Sequence, residues 1–305
     1  MTEHLYICDH LSSLVAGADT TLALARASRA AGRRSNWCLI EDLRFEGGEL
    51  LGRIRSFDES LTIDGGQWRA LRTQELVFVR TDPPVDARYF AALWLLDVAA
   101  QNGLHVVNNP RSLTWANEKT LILHFPDLIP ATQVCAEPSE IVRFINLHQR
   151  AVLKPLDGNG GRGVIVLDAS DRNLNALIDM SLAPGAPIMV QAFLPAVAAG
   201  DRRVLLVDGE PLGVLNRVAS ADDWRCNMHV GAQAEWVPLD DDDRRICAAI
   251  APFLREHGLP FAGIDIIGGK LTEINVTSPT GVEEVLAAGG PDIAQATIDH
   301  LIGAR

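Results

Sequence analysis

The sequence predicts a mixed α/β and α+β protein: an open, parallel α/β unit followed by two α+β units. Three observations carry this. Strand and helix signals alternate through the first third, a glycine-rich loop at 158–163 sits between two apolar runs, and the last third reads as antiparallel strands around one amphipathic helix.

Taken in order, residues 5–8 (LYIC) read as a strand, after which Asp19 caps an Ala/Leu-rich helix that stops near Gly32. Residues 37–40 and 76–79 give two more strands. Between Asp86 and Gly103, Tyr89, Leu93, Leu96 and Ala100 fall on one helical face, ahead of a strand at 105–107. From Asn117 the character changes. A helix through Lys119, Thr120 and Leu121 ends near Pro126, followed by a strand at 151–156, the glycine hairpin and a helix around 171–180. Pro184-Gly185-Ala186-Pro187 reads as a linker, and 188–194, 203–207 and 212–218 as antiparallel strands. Ile246, Ile250, Phe253 and His257 share one face of a further helix. The aspartates Asp240 to Asp243 before it suit a helix's first turn better than a metal site. Residues 261–267 and 270–276 form a hairpin across Gly268-Gly269. The expected units are 1–117, 118–187 and 188–305.

A chain of 305 residues with 48% apolar composition can bury a large core. The net charge of −12 argues against general affinity for nucleic acid or anionic membrane, since both require a basic face. Five scattered cysteines without CxxC spacing speak against a disulfide framework and a structural zinc. No basic-then-apolar leader and no apolar run of membrane length is present, so a cytoplasmic protein is expected.

Residues 158–163 satisfy GxGxxG, the dinucleotide pattern, but that pattern works only where the glycines open a helix. Here Val164-Ile165-Val166-Leu167 follows, which is a strand, so the loop reads as a hairpin able to cover phosphates with backbone N–H groups. Lys154, in the strand before it, is a cation in apolar company that a phosphate would satisfy; Lys119 is a second candidate. The plainer alternative is a simple turn with Lys154 reaching solvent. Asp265 lies on one strand of the last hairpin, while Glu273 and Asn275, two apart on the next, share a face. All three offer the oxygen ligands Mg²⁺ takes. Arg80, Arg203, Arg217 and Arg225 are candidates for clamping carboxylates or phosphates.

The order of VRTDPPVD, VVNNPRSL with ANEK, IPATQV, VLKPLDGNGGRGV, DRRVLLVDGEP and GIDIIGGKLTEINVTSPTG closely resembles the prokaryotic glutathione synthetases, members of the ATP-grasp ligases, from Asp19 to Gly281. The resemblance implies an ATP-grasp fold behind an N-terminal α/β substrate domain. It implies that Lys119 and Lys154 hold nucleotide phosphates, that Gly160 and Gly161 lie in a mobile lid, and that Gln191 and Leu194 flank adenine. Asp265, Glu273 and Asn275 correspond to its metal positions, for Mg²⁺ or Mn²⁺, and Arg203, Arg217 and Arg225 to arginines near the reacting groups. Arg80, Asp82, Asn227, Thr277, Ser278, Thr280 and Gly281 correspond to substrate-binding positions. The implied partners are ATP, a γ-glutamyl dipeptide and an amino acid, in a homo-oligomer, tetramer or dimer.

The implied reaction joins γ-glutamylcysteine to glycine through an acylphosphate, releasing ADP and phosphate. One segment departs from the family pattern: 219–224 lacks the usual loop glycine, and a Gly-Gly pair is replaced by Gly231-Ala232. The alternative it raises is the same ligase chemistry on another γ-glutamyl or amino-acid substrate. A nucleotide-binding protein without turnover is the third reading.

Overall fold

The central strands of the first unit carry apolar residues on both faces, and both faces are covered. The computed structural model describes residues 2–57, 65–219, 226 and 233–303. In chain order the first unit holds β1 (Glu3–Cys8), α1 (Thr20–Ala30), β2 (Arg34–Cys38), β3 (Leu43–Glu46), β4 (Glu49–Ser56), β5 (Gln67–Ala70), β6 (Leu76–Arg80), α2 (Ala87–Gln101), β7 (Val106–Val107) and α3 (Pro110–Leu113). Strands β2, β1, β6 and β7 are parallel neighbours. Leu5 and Ile7 of β1 pack into one core and Tyr6 and Cys8 into another, the two-sided burial expected of a parallel strand under helices. Asp19 caps α1 as its sequence promises, accepting the N–H groups of Thr21 at 2.7 Å and Leu22 at 3.1 Å.

The purely parallel expectation is too narrow. β4 pairs antiparallel with β2, β3 and β5, so an antiparallel flap extends the sheet on one side. The strand expected at 37–40 ends at Cys38, and Ile40 begins a 3₁₀ turn.

The second sheet comprises β8 (Thr132–Cys135), β9 (Arg150–Pro155), β10 (Ile165–Asp168) and β11 (Ile188–Ala192), antiparallel in the order β10-β9-β11-β8. Helices α4 (Pro138–His148) and α5 (Leu174–Leu182) cover one face. Proline at the first turn and the spacing of Ile141, Phe144 and Ile145 make α4, and these three side chains each contribute roughly 1.5–3 kcal/mol by burial against Leu153 and Ile178. Since β11 belongs to this sheet, the stretch Pro184 to Pro187 connects α5 to β11 within one unit rather than linking two. The break expected at 187 therefore falls inside the sheet. The helix expected through Lys119 is a 3₁₀ turn, Thr120–His124, whose preceding N–H groups are held by Asn117.

The third sheet runs β14-β13-β12-β15-β16, built from β12 (Asp201–Val207), β13 (Glu210–Val218), β14 (Gln233–Val237), β15 (Phe261–Ile267) and β16 (Lys270–Asn275). Helix α6 (Asp241–Glu256) buries Ile246 and Ile250 on one side; α7 (Val282–Ala287) and α8 (Ile293–Gly303) close the other, with α8 against α1. Asn108, at the end of β7, ties the first unit to the third: its amide donates to the carbonyls of Phe261 and Val276 at 2.7 Å each and accepts the Phe261 N–H at 2.9 Å. No helix among the described residues is long and apolar enough to cross a membrane.

Candidate active site

Period-two alternation sends Ala151 and Leu153 of β9 into the core under α4, and Val152 and Lys154 to the opposite face. That face meets the third sheet across a cavity of about 210 Å³. Register aligns the charged wall opposite. Arg203 on β12 stands across from Asp265 on β15, which stands across from Glu273 on β16, and Arg217 on β13 stands across from Asp201 on β12. Opposite charges face one another at Arg203–Asp265 and Arg217–Asp201, while Asp265 and Glu273 set two acids side by side.

The Arg203 guanidinium grips Asp265 in a fork, Nε to Oδ1 at 2.5 Å and Nη2 to Oδ2 at 2.8 Å. Gly263 makes room for this arginine, since a Cβ there would come within 3.1 Å of Arg203 Cδ. Arg217 Nη2 bridges two carboxylates, Asp201 at 2.6 Å and Asp265 at 2.9 Å. Burial pushes both acids up, but with different outcomes. Asp265, held by two guanidinium groups, ends well below the usual carboxylate range. Asp201, with Arg217 only partly offsetting burial and Asp265 repelling it, is pushed up to about 6. Among the described residues, Asp201 Oδ1 and Arg217 Nε are buried without a hydrogen-bond partner, so this wall has polar capacity to spare for a ligand.

The two lysines arrive from different elements. Lys119 Nζ lies 3.2 Å from Glu273 Oε1 and donates to the Gly158 carbonyl at the start of the glycine loop. Lys154 Nζ reaches the Thr272 carbonyl at 3.5 Å; burial pulls its pKa down, with Glu273 opposing. Gly160 and Gly161, at φ +58° and +77°, bend the loop over the cavity, a conformation that side chains disfavour. The loop's Asn159 donates to the Pro83 carbonyl at 3.4 Å, so the glycine loop touches the first unit.

Asp265, Glu273 and Asn275 meet as anticipated: Asp265 and Glu273 are direct cross-strand neighbours, and Asn275 Nδ2 lies 3.4 Å from Asp265 Oδ2. The donor set is all oxygen on the cavity wall, which fits a hard divalent cation. Gln191, Leu194, Asp82, Ser278 and Thr280 also line the cavity, with the Gln191 amide on Thr132 Oγ1 at 3.1 Å. Arg80 does not reach it. Its side chain is buried between Thr21 Oγ1 (3.3 Å) and the Pro279 carbonyl (3.1 Å), where it supports the 277–280 loop from behind. Thr277 and Gly281 likewise stand off the cavity wall, Thr277 buried and Gly281 heading α7. Arg225, Asn227 and the altered segment 220–225 and 227–232 lie outside the described residues.

Sequence reasoning missed two acids here. Asp201 sits two residues before Arg203, on the same strand face, and that spacing was a usable signal. Glu118 also lines the cavity, and burial together with Glu273 pushes its pKa up. The run Asp240 to Asp243 is helix-start chemistry: Asp240 and Asp243 form a capping box and Asp243 is bound by Arg202.

Residues 3–114 match the family model for the prokaryotic glutathione synthetase N-terminal domain, and 118–290 that for its ATP-grasp domain. The chain is 42% identical to a glutathione synthetase of Synechococcus elongatus over 97% of both chains. To that of Agrobacterium fabrum it is 38% identical, over 96% of this chain and 94% of the relative. Among solved structures, D-cycloserine synthetase DcsG superposes with a TM-score of 0.72 at 17% identity over 99% of both chains. The ATP-grasp ligase PsnB gives 0.67 at 19% identity, over 99% of this chain and 98% of that one; both share the fold.

Proposed function

The chain belongs to the prokaryotic glutathione synthetase family, and we infer that it is an ATP-dependent ligase joining γ-glutamylcysteine to glycine with release of ADP and phosphate. The observation that carries the site assignment is the meeting, on one cavity beneath a glycine loop, of two lysines, two arginines and a carboxylate–carboxylate–amide set, brought together from the second and third sheets and the turn before Thr120.

A carboxylate is a poor acyl donor. Its oxygen attacks the γ-phosphorus of ATP and ADP leaves, giving an acylphosphate; the glycine amine then attacks the acyl carbon, the carbon–oxygen bond to phosphate breaks, and the amine sheds a proton. Lys119 and Lys154, which line the cavity, would hold the nucleotide phosphates, and Gln191 and Leu194 would flank the base. Arg203 and Arg217, on the acidic wall of the cavity, would stabilise the charge that develops between phosphate and acyl group, with Arg225 as the third candidate. Asp265, Glu273 and Asn275 would hold Mg²⁺, or Mn²⁺ in its place, which when bound screens the repulsion between the reacting anions. Asp82, Ser278 and Thr280 are the supported contacts for the peptide substrate; Arg80, Thr277 and Gly281 shape the loop that presents them. The lid at Gly160 and Gly161 keeps water from the acylphosphate.

The reading extends to a cytoplasmic homo-oligomer. Trp94, 62% exposed, and Val98, 43% exposed, form an apolar stripe on the outer face of α2 suited to a second copy, which light scattering of the purified chain tests. The central test is mass-spectrometric product analysis with ATP, Mg²⁺, γ-glutamylcysteine and glycine, alongside ADP release. Glutathione formed at the rate of ADP release supports the assignment; ADP release that needs a different acid or amine moves the substrate and keeps the mechanism.

A further inference from the structure

Resting on the nucleotide and metal reading above, we propose that Glu118 is a positioning residue that sets the end of β16, with Glu273 and Asn275, in register with Lys119. The ladder of β16 stops at Asn275, and the next two residues, Val276 and Thr277, enter a turn where they are 0% and 5% exposed. Buried amides without acceptors are destabilising, because they lose water and gain no partner. Glu118 supplies them: its Oε1 accepts the N–H groups of both Val276 and Thr277 at 2.9 Å, and its backbone carbonyl accepts the Ile274 N–H at 3.0 Å.

Its neighbours extend the brace. Lys119 contacts Glu273 at 3.2 Å, and Asn117 donates to the Leu156 carbonyl at 2.9 Å, where the glycine loop begins. Three consecutive residues therefore join the lid's root, the phosphate lysine, the metal strand and the 277–280 loop. Val276 is gripped from both sides, since its carbonyl takes the Asn108 amide. Ligating groups must be held to roughly half an ångström, and the two amides on Glu118 directly follow Asn275.

A residue that only satisfied buried amides would change stability and leave metal linkage alone. The test is calorimetric titration of the full chain with ADP, in Mg²⁺ and in EDTA, for wild type, Glu118→Gln and Glu118→Asp. Glutamine keeps both the length and an acceptor oxygen, so the Mg²⁺-dependent tightening of ADP should stay within about threefold of wild type. Aspartate withdraws the acceptor by one methylene and should lose about tenfold or more of that tightening, with metal-free affinity unchanged.

Full tightening in a folded Glu118→Asp, or an equal fall in both affinities, overturns the proposal. Loss of tightening in Glu118→Gln overturns it as well, so the question stands even if aspartate fails to fold. Wild type that binds ADP no better with Mg²⁺ than with EDTA sinks both this proposal and the nucleotide–metal reading. Wild type that shows the tightening yet makes no glutathione overturns only the substrate assignment.

Discussion

Two acidic regions of this chain invite opposite readings from their density. Asp240 to Asp243 places four carboxylates in a row, whereas Asp265 and Glu273 are eight residues apart with an asparagine beyond. The dense cluster is scaffolding. Asp240 caps α6, Asp241 and Asp242 face solvent, and Asp243, fully buried, is held by Arg202. The sparse set stands on a hairpin whose register places the two acids opposite each other, with Lys119, Arg203 and Arg217 around them. What separates them is cross-strand convergence on a cavity, not the number of charges.

The sharpest way to break that contrast is Glu273→Gln, which keeps shape and removes charge. Turnover with ATP and Mg²⁺ should fall by at least about 100-fold in a steady-state assay, while the thermal midpoint barely moves. Full-rate turnover would dissolve the distinction. Asp243→Ala should do the reverse. It takes from Arg202 its nearest carboxylate, leaving Asp240 at 3.5 Å and the Pro238 carbonyl, and removes half of the capping box, costing about 2–3 kcal/mol in urea titration, with kcat kept where the protein is folded. The figure sits below that for a fully buried pair because Arg202 retains some contact with water.

A finer test stays within the cavity wall. With its folded pKa raised to about 6 against an ordinary value of 3.8, Asp201 binds more protons folded than unfolded between those values. Its contribution to stability is thus fully present below about pH 4 and is lost as the pH rises through 6. The melting midpoint of Asp201→Asn relative to wild type should therefore climb between pH 4.5 and 7.5; a constant gap would place the carboxyl's titration elsewhere. The smallest effect belongs to Asp241→Ala, an exposed first-turn acid, which should change stability by less than about 0.5 kcal/mol and leave turnover intact.

Much of the site was readable because period-two alternation is local. Glu273 and Asn275 share a face by spacing alone, and Lys154 adjoins the lid by sequence. Asp201 could have been found by the same rule. Glu118 could not, since its partners lie 158 and 159 residues away and nothing nearby marks the carboxylate as an acceptor for a distant turn. Arg80 misled for a related reason: an arginine at a strand end suits a ligand or a backbone carbonyl equally, and the choice depends on where Pro279 lands. In the fold, β3 and β4 were missed despite a Gly47-Gly48 turn between them, and α4 despite proline at its start and apolar residues at 141, 144 and 145. Those signals are local, whereas sheet membership of β11 is a nonlocal fact.

The Asn108 clamp also has a timetable. Its carbonyl-bound amide waits for Phe261, 153 residues later, which at roughly 5–20 residues per second of synthesis is about 8–30 s. Through that interval the parallel sheet has left the ribosome with its junction surface bare, and the nascent chain can build two sheets before it owns a catalytic centre. Truncation after β9 but before β16 leaves Glu273 and Asn275 unmade, so such a product would carry Lys119 and Lys154 without the acidic strand that faces them.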